Sequence, residues 1–204
     1  YRLEALSYTE MIELARHGAS VLNRCAVEHA RRDGVRLRVC STFDPERPGT
    51  LIRAAAPHGR PRAVGVASHE GVLPVQVQSG TGRAGRIGDR ILRWLGQPDV
   101  LFDRHESDAR GREILIPVSN IADRAAFTEW VADEFGNHAS VGAERGSVSA
   151  IGLGVGSEGT LAEDSRRDAE RAGIPLYGHY TDEHAVTCVL FARAVPLATE
   201  LFHR

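Results

Sequence analysis

Lysine is absent: all 25 basic residues of this 204-residue chain are arginine. That removes the Walker-type phosphate loop, whose lysine reaches the terminal phosphates, and every Schiff-base mechanism. A charge excess is also missing. With 27 acidic residues against 25 basic ones the net charge is -2, so no basic surplus draws nucleic acid or an anionic membrane. No apolar run approaches the roughly 20 residues that cross a bilayer. The opening "YRLEALSYTE" has neither the basic nor the apolar region of a signal peptide, and the expected location is cytoplasmic. Cysteine is scarce, and Cys25, Cys40 and Cys188 form no C-x-x-C pair and cannot all be bridged, which points to free thiols in a reducing compartment.

What remains is an ordinary globular composition, 42% hydrophobic and 25% charged, enough to bury a core. Ser7 to Glu10 has capping-box spacing, and Met11, Leu14 and Ala15 follow at helical intervals up to Gly18. A second helix is predicted over 24–32, a strand over 35–40 and a short apolar strand after the turn "DPERPGT". The stretch 54–61 has the Pro, Gly and Arg content of a linker.

From residue 62 onward, short strands alternate with three-turn helices, twice over. The first copy has strands at 73–79, 100–104 and 113–118 with helices at 86–95 and 123–135. The second has strands at 148–153, 175–180 and 185–191 with helices at 161–172 and 196–203. Strand-like segments at 62–68 and 138–143 complete two βαββαβ units of ferredoxin-like topology, an α+β class.

Each copy carries a glycine-rich loop between a strand and a helix: "SGTGRAG" (Ser79, Gly80, Thr81, Gly82, Arg83, Ala84, Gly85) and "GVGSEG" (Gly154, Val155, Gly156, Ser157, Glu158, Gly159). The second loop has G-x-G-x-x-G spacing, but no acidic residue stands about 20 positions later to hold a ribose, which disfavours a dinucleotide fold. Unpaired N–H groups at a helix start hold a small carboxylate as well as a phosphate. Nine histidines offer no compact ligand cluster by spacing, so no metal is expected. Glu163, Asp164, Asp168 and Glu170 alternate with Arg166, Arg167 and Arg171 as a solvated helix face. Ser157 lacks a G-x-S-x-G elbow, and no catalytic residue is assigned.

Residues 7–53 resemble the end of the catalytic domain of aspartokinases, whose pattern runs S-Y-x-E-M-x-E-L-A-x-x-G-A-x-V-L. Ser7, Tyr8, Glu10, Met11, Glu13, Leu14, Ala15, Gly18, Ala19, Val21 and Leu22 match it, and Val27, Glu28, Phe43, Pro45, Gly49 and Thr50 follow at the right distances. "VSAIGLGV" (148–155) resembles the opening of the family's second ACT unit. The resemblance implies a remnant of an amino-acid-kinase domain (1–53), a linker (54–61) and tandem ferredoxin-like ACT units at 62–145 and 146–204, with strand 62–68 assignable to either. It further implies a small amino-acid effector such as lysine or threonine at the two loops and Thr181, with no cofactor. Implied partners are a second copy of the chain, paired through the ACT units, and a catalytic kinase subunit or pathway enzyme.

Departures from the family pattern are informative. The family's H-P-R is Asn23, Arg24 and Cys25 here. The first loop lacks the aspartate and proline of S-D-x-P-G, and this chain has no lysine-containing phosphate loop. Three readings follow: a non-catalytic regulatory region or subunit controlling aspartate phosphorylation in amino-acid biosynthesis, an ACT-based scaffold that has lost sensing, or a fragment of an active aspartate kinase.

Overall fold

The computed structural model describes residues 3–44, 46–54, 62–78, 83–96, 100–105, 111–157 and 159–203. The predicted linker therefore lies almost wholly outside the described residues. The chain divides into two compact units. The first comprises 1–68, 148–190 and 194–204, and the second 69–147 with 191–193.

In the first unit, strand β1 (Ala5–Ser7) runs directly into helix α1 (Tyr8–Arg16), and the junction is the capping box expected from the sequence. The Ser7 backbone N–H donates to Glu10 Oε2 at 2.7 Å, and the Glu10 N–H donates to Ser7 Oγ at 3.1 Å, so two otherwise orphaned donors are satisfied reciprocally. Helix α2 (Arg24–Asp33) starts at an Asn23 cap and ends at Gly34, whose φ of 67° is the left-handed stop that glycine adopts without penalty. Strands β2 (Leu37–Val39) and β3 (Thr50–Arg53) complete a small sheet of order β1-β3-β2, parallel then antiparallel. Leu6, Met11, Val27 and Ile52 form its core together with Val64, Ala67 and Ile151.

The same unit holds a ferredoxin-like layer. Strand β8 (Arg145–Ile151) leads through a loop to helix α5 (Thr160–Arg171), then to the hairpin β9 (Leu176–Thr181) and β10 (Ala185–Leu190), and to helix α6 (Val195–Phe202). The sheet order is β4-β8-β10-β9, strand β4 (Gly65–Val77) joining this unit through its residues up to Ser68. Val148, Ala169, Cys188, Leu190, Val195 and Ala198 pack between sheet and helices.

Burial pushes the Cys188 thiol up to about 12, with the neighbouring Ser165 hydroxyl partly opposing it, whereas Cys25 and Cys40 are exposed. Because the thiolate is the reactive form, an aromatic disulfide reagent at pH 8 is expected to titrate two thiols in the native chain and three after denaturation. A native count of three would overturn this placement.

The second unit is a complete βαββαβ. The later part of β4 is followed by helix α3 (Arg83–Leu95), strands β5 (Phe102–His105) and β6 (Arg112–Pro117), helix α4 (Arg124–Phe135) and strand β7 (Ala139–Val141). Its order is β5-β6-β4-β7 with every neighbour antiparallel, the ferredoxin-like arrangement. Leu73, Val75, Ile91, Ile114, Ile116, Phe127 and Val131 form its core. Asp123 caps α4 by accepting from Ala126 N at 2.9 Å.

One element differs from expectation. The separate strands predicted at 62–68 and 73–79 are a single 13-residue strand, because His69, Glu70 and Gly71 stay extended rather than turning. Gly71 sits close to two side chains of this unit: a Cβ there would meet Glu144 Oε1 at 2.7 Å and Val118 Cγ2 at 3.1 Å.

Candidate functional site

The loop from β8 to α5 is held against the tip of the β9–β10 hairpin. Gly152 N–H donates to the His184 carbonyl at 2.9 Å, and Gly154 N–H donates to His184 Nδ1 at 3.3 Å. The hairpin tip is itself an Asx turn. Asp182 Oδ1 accepts from the N–H groups of His184 (2.9 Å) and Ala185 (2.8 Å), and Asp182 N–H donates to the Ala185 carbonyl.

Gly156 lies so near this tip that only a glycine fits. A Cβ there would sit 1.6 Å from the Asp182 carbonyl oxygen. Val155 is buried, and Gly154 takes a φ of 73°. Gly159 opens α5 with a φ of 69° and gives no side-chain cap, so the first turn of the helix gets none of the usual Ser, Thr or Asp oxygen. Thr181 is exposed on the hairpin and pairs in register with Val186. Gly154, Val155, Gly156, Ser157, Gly159 and Thr181 are therefore gathered in one unit, on two adjoining segments. Glu158 lies outside the described residues.

The helix behind this loop carries the expected surface ion pairs: Arg166 with Glu170, Arg167 with Asp164 at 3.0 Å, and Arg171 with Asp168 at 3.8 Å. Such exposed pairs contribute about 0–1 kcal/mol each. Ser165 Oγ donates to the Ala162 carbonyl at 3.0 Å, so it accepts from His179 Nε2 at 3.2 Å. Burial and the nearby Arg166 charge lower the pKa of His179 and keep it neutral.

Of the first glycine-rich loop, Ser79, Gly80, Thr81 and Gly82 lie outside the described residues. Arg83 begins α3, and the Gly85 carbonyl accepts from Arg112 Nη1 at 2.8 Å. Arg112 is buried, also bonds Asp89 at 3.0 Å, and lies so close to Gly88 that a Cβ there would meet its guanidinium at 2.2 Å. The start of α3 is thus clamped to β6 by a buried arginine.

A second cluster was not visible from spacing. Glu13 and His17 on α1 and Asp182 at the hairpin tip each offer a ligand atom within 4.8 Å of the others, a group that joins residues far apart in sequence. His17 Nδ1 lies 2.7 Å from Ser149 Oγ, which lies 2.9 Å from Thr187 Oγ1, and all three side chains are buried. Glu13, His17 and Ser149 have the residue types of a hydrolytic triad. Ser149 is fully buried and its hydroxyl is spent on Thr187, so no substrate reaches it and the chain of bonds instead fixes α1 to β8 and β10. Burial raises the Glu13 pKa, but the neighbouring His17 ring and the Arg16 charge outweigh it, leaving the carboxyl below its ordinary value and charged at neutral pH. The E-x-x-x-H spacing of Glu13 and His17 was a legible signal for two of the three members.

Two ferredoxin-like layers of α+β class are the fold expected from the sequence. No family model matches the chain. It is nevertheless 23% identical over its whole length to an aspartokinase of Thermus thermophilus, covering 51% of that protein. Its fold matches E. coli aspartokinase III in complex with lysine and aspartate (T-state), with a TM-score of 0.71 at 16% identity over 100% of this chain and 46% of that one. It also matches the ligand-free regulatory subunit of aspartate kinase from Thermus thermophilus, with a TM-score of 0.54 at 17% identity over 70% of this chain and 97% of that one. The chain is similar to aspartokinases, and it spans about half the length of the curated relatives that it matches end to end. Among the described residues no helix is long and apolar enough to cross a membrane.

Proposed function

We propose that this chain is the regulatory part of an aspartokinase-like protein, and that it binds a small amino acid such as lysine or threonine at the loop between β8 and α5. The observation that carries the reading is the start of α5: a helix whose capping position is a glycine with no side-chain oxygen, reached through a loop seated on the β9–β10 tip. Backbone N–H groups and the helix dipole there suit an effector carboxylate. Ser157 and Thr181 supply neighbouring hydroxyls, with Gly154, Val155, Gly156, Glu158 and Gly159 as the rest of the loop. The likeness to an aspartokinase crystallised with lysine supports the choice of effector class.

The first loop, Ser79 to Gly85, is the second effector position in this reading. A second copy of the chain pairs through the ACT units, and the regulated partner is an aspartate kinase domain or subunit. Effector control requires different affinities in two states, typically by about 1–3 kcal/mol. Titration calorimetry of the purified chain with lysine, threonine and methionine at millimolar concentration is expected to give saturable heat with at least one of them. Absence of heat and of thermal stabilisation with all three would overturn it. The altered first loop, without aspartate or proline, favours a second reading in which the units serve as a scaffold. That reading predicts no heat together with capture of an aspartate kinase partner.

A further inference from the structure

We infer that Glu13, His17 and Asp182 form a binding site for a divalent cation of the zinc type, which fastens α1 to the tip of the β9–β10 hairpin. The three ligand atoms lie within 4.8 Å of one another. Glu13 and His17 are four residues apart on α1 and so share one helix face. Asp182 comes from a tip whose geometry is set independently: Oδ1 accepts both His184 and Ala185 N–H groups, and Oδ2 is the oxygen that faces α1, 3.8 Å from Arg16 Nη1.

The second, independent observation is the imidazole itself. His17 is 1% exposed, and its Nε2 is buried with no hydrogen-bond partner, 3.7 Å from Glu13 Oε2. A buried ring nitrogen beside two carboxylates and without a hydrogen bond is disposed to ligate a cation. The other ring nitrogen is already oriented. With the metal on Nε2, Nδ1 carries the proton and donates to Ser149 Oγ, which in turn bonds Thr187 Oγ1. An outer shell of this kind fixes the tautomer and the ring plane at metal-bound histidines.

One imidazole and two carboxylates match the three protein ligands plus water of an open zinc site. Calcium and magnesium would want more oxygen ligands. Binding requires the ligand atoms to close in by rotation of the partly buried Glu13 and Asp182 side chains, and it has a resident competitor. The Arg16 guanidinium lies 3.3 Å from Glu13 Oε2 and 3.8 Å from Asp182 Oδ2, where it neutralises the carboxylates when no metal is present. Arg16 is partly exposed on a flexible stem and can leave.

The inference is independent of the effector reading, since its test uses no amino acid. Chain stripped of metal with a chelator is titrated with Zn2+ by calorimetry and with Co2+ by visible absorption. The expected result is one Zn2+ per chain and the d–d band of four-coordinate cobalt. Asp182→Asn keeps the backbone hydrogen bonds of Oδ1 but loses the charge, and is expected to weaken Zn2+ at least about 10-fold, with Glu13→Gln behaving alike. Arg16→Gln, which removes the competitor, is expected to tighten it. Circular dichroism confirms that each variant is folded. Absence of stoichiometric binding by the parent chain would overturn the site. So would Zn2+ affinity unchanged in Asp182→Asn, which would place the metal on other histidines.

Discussion

Replacing Gly156 with valine is expected to abolish effector heat and to destabilise the chain by about 1–3 kcal/mol, the usual cost of forcing atoms into a packed site. The reason is positional. A Cβ at Gly156 would stand 1.6 Å from the Asp182 carbonyl oxygen and 3.2 Å from that of Ala185. Both obstacles are backbone, and a Cβ has no rotamer with which to evade them. Loop and hairpin must part, and the bonds from Gly152 and Gly154 to His184 go with them. Gly159→Ala is the contrasting variant. Its φ of 69° imposes the left-handed penalty of about 1–2 kcal/mol, but nothing lies within 4 Å of the added carbon. Its effector heat is therefore expected to persist. Denaturant titration and calorimetry on both variants check the pair, and a Gly156→Val chain as stable as the parent would refute the close packing.

The parts of this fold that were legible in the sequence are those set by neighbours in the chain. Ser7 and Glu10 stand three residues apart, and that spacing alone dictates the reciprocal cap that starts α1. Asn23 and Gly34 likewise bracket α2. The twofold strand and helix alternation was readable because each βαββαβ unit repeats its periodicity. The continuity of β4 was not, since whether His69 to Gly71 turn or stay extended depends on β6 and on the fit of Gly71 against Val118 and Glu144.

The candidate site divides in the same way. The glycines of "GVGSEG" could be read from spacing, but the need for glycine at 156 comes from a carbonyl 26 positions downstream. Glu13 and His17 are neighbours on a helix face, while Asp182 reaches them only through the packing of α1 on the sheet, which no local pattern records.

Phe127→Ala is expected to cost the second unit about 3–5 kcal/mol, the range for emptying a fully buried aromatic site. Phe127 is 0% exposed and lies 5.2 Å, centroid to centroid, from Trp94 and 6.4 Å from Trp130. Those two tryptophans stack on each other at 5.3 Å, and Trp130 meets Phe135 edge-on. Removing Phe127 therefore takes away the face on which α3 and α4 meet, and the loss includes aromatic contacts of about 0.5–1.5 kcal/mol beyond area burial. The chain's two tryptophans both belong to this cluster, so intrinsic fluorescence reports the second unit without a label. The expected record is a lower denaturant midpoint and a red-shifted native emission, with Phe127→Leu falling between parent and alanine because it fills part of the space. An alanine variant whose midpoint moves by less than the equivalent of about 1 kcal/mol would mean that the cluster collapses around the cavity. The packing of α3 on α4 would then depend on Ile91, Val131 and the tryptophans rather than on the buried ring.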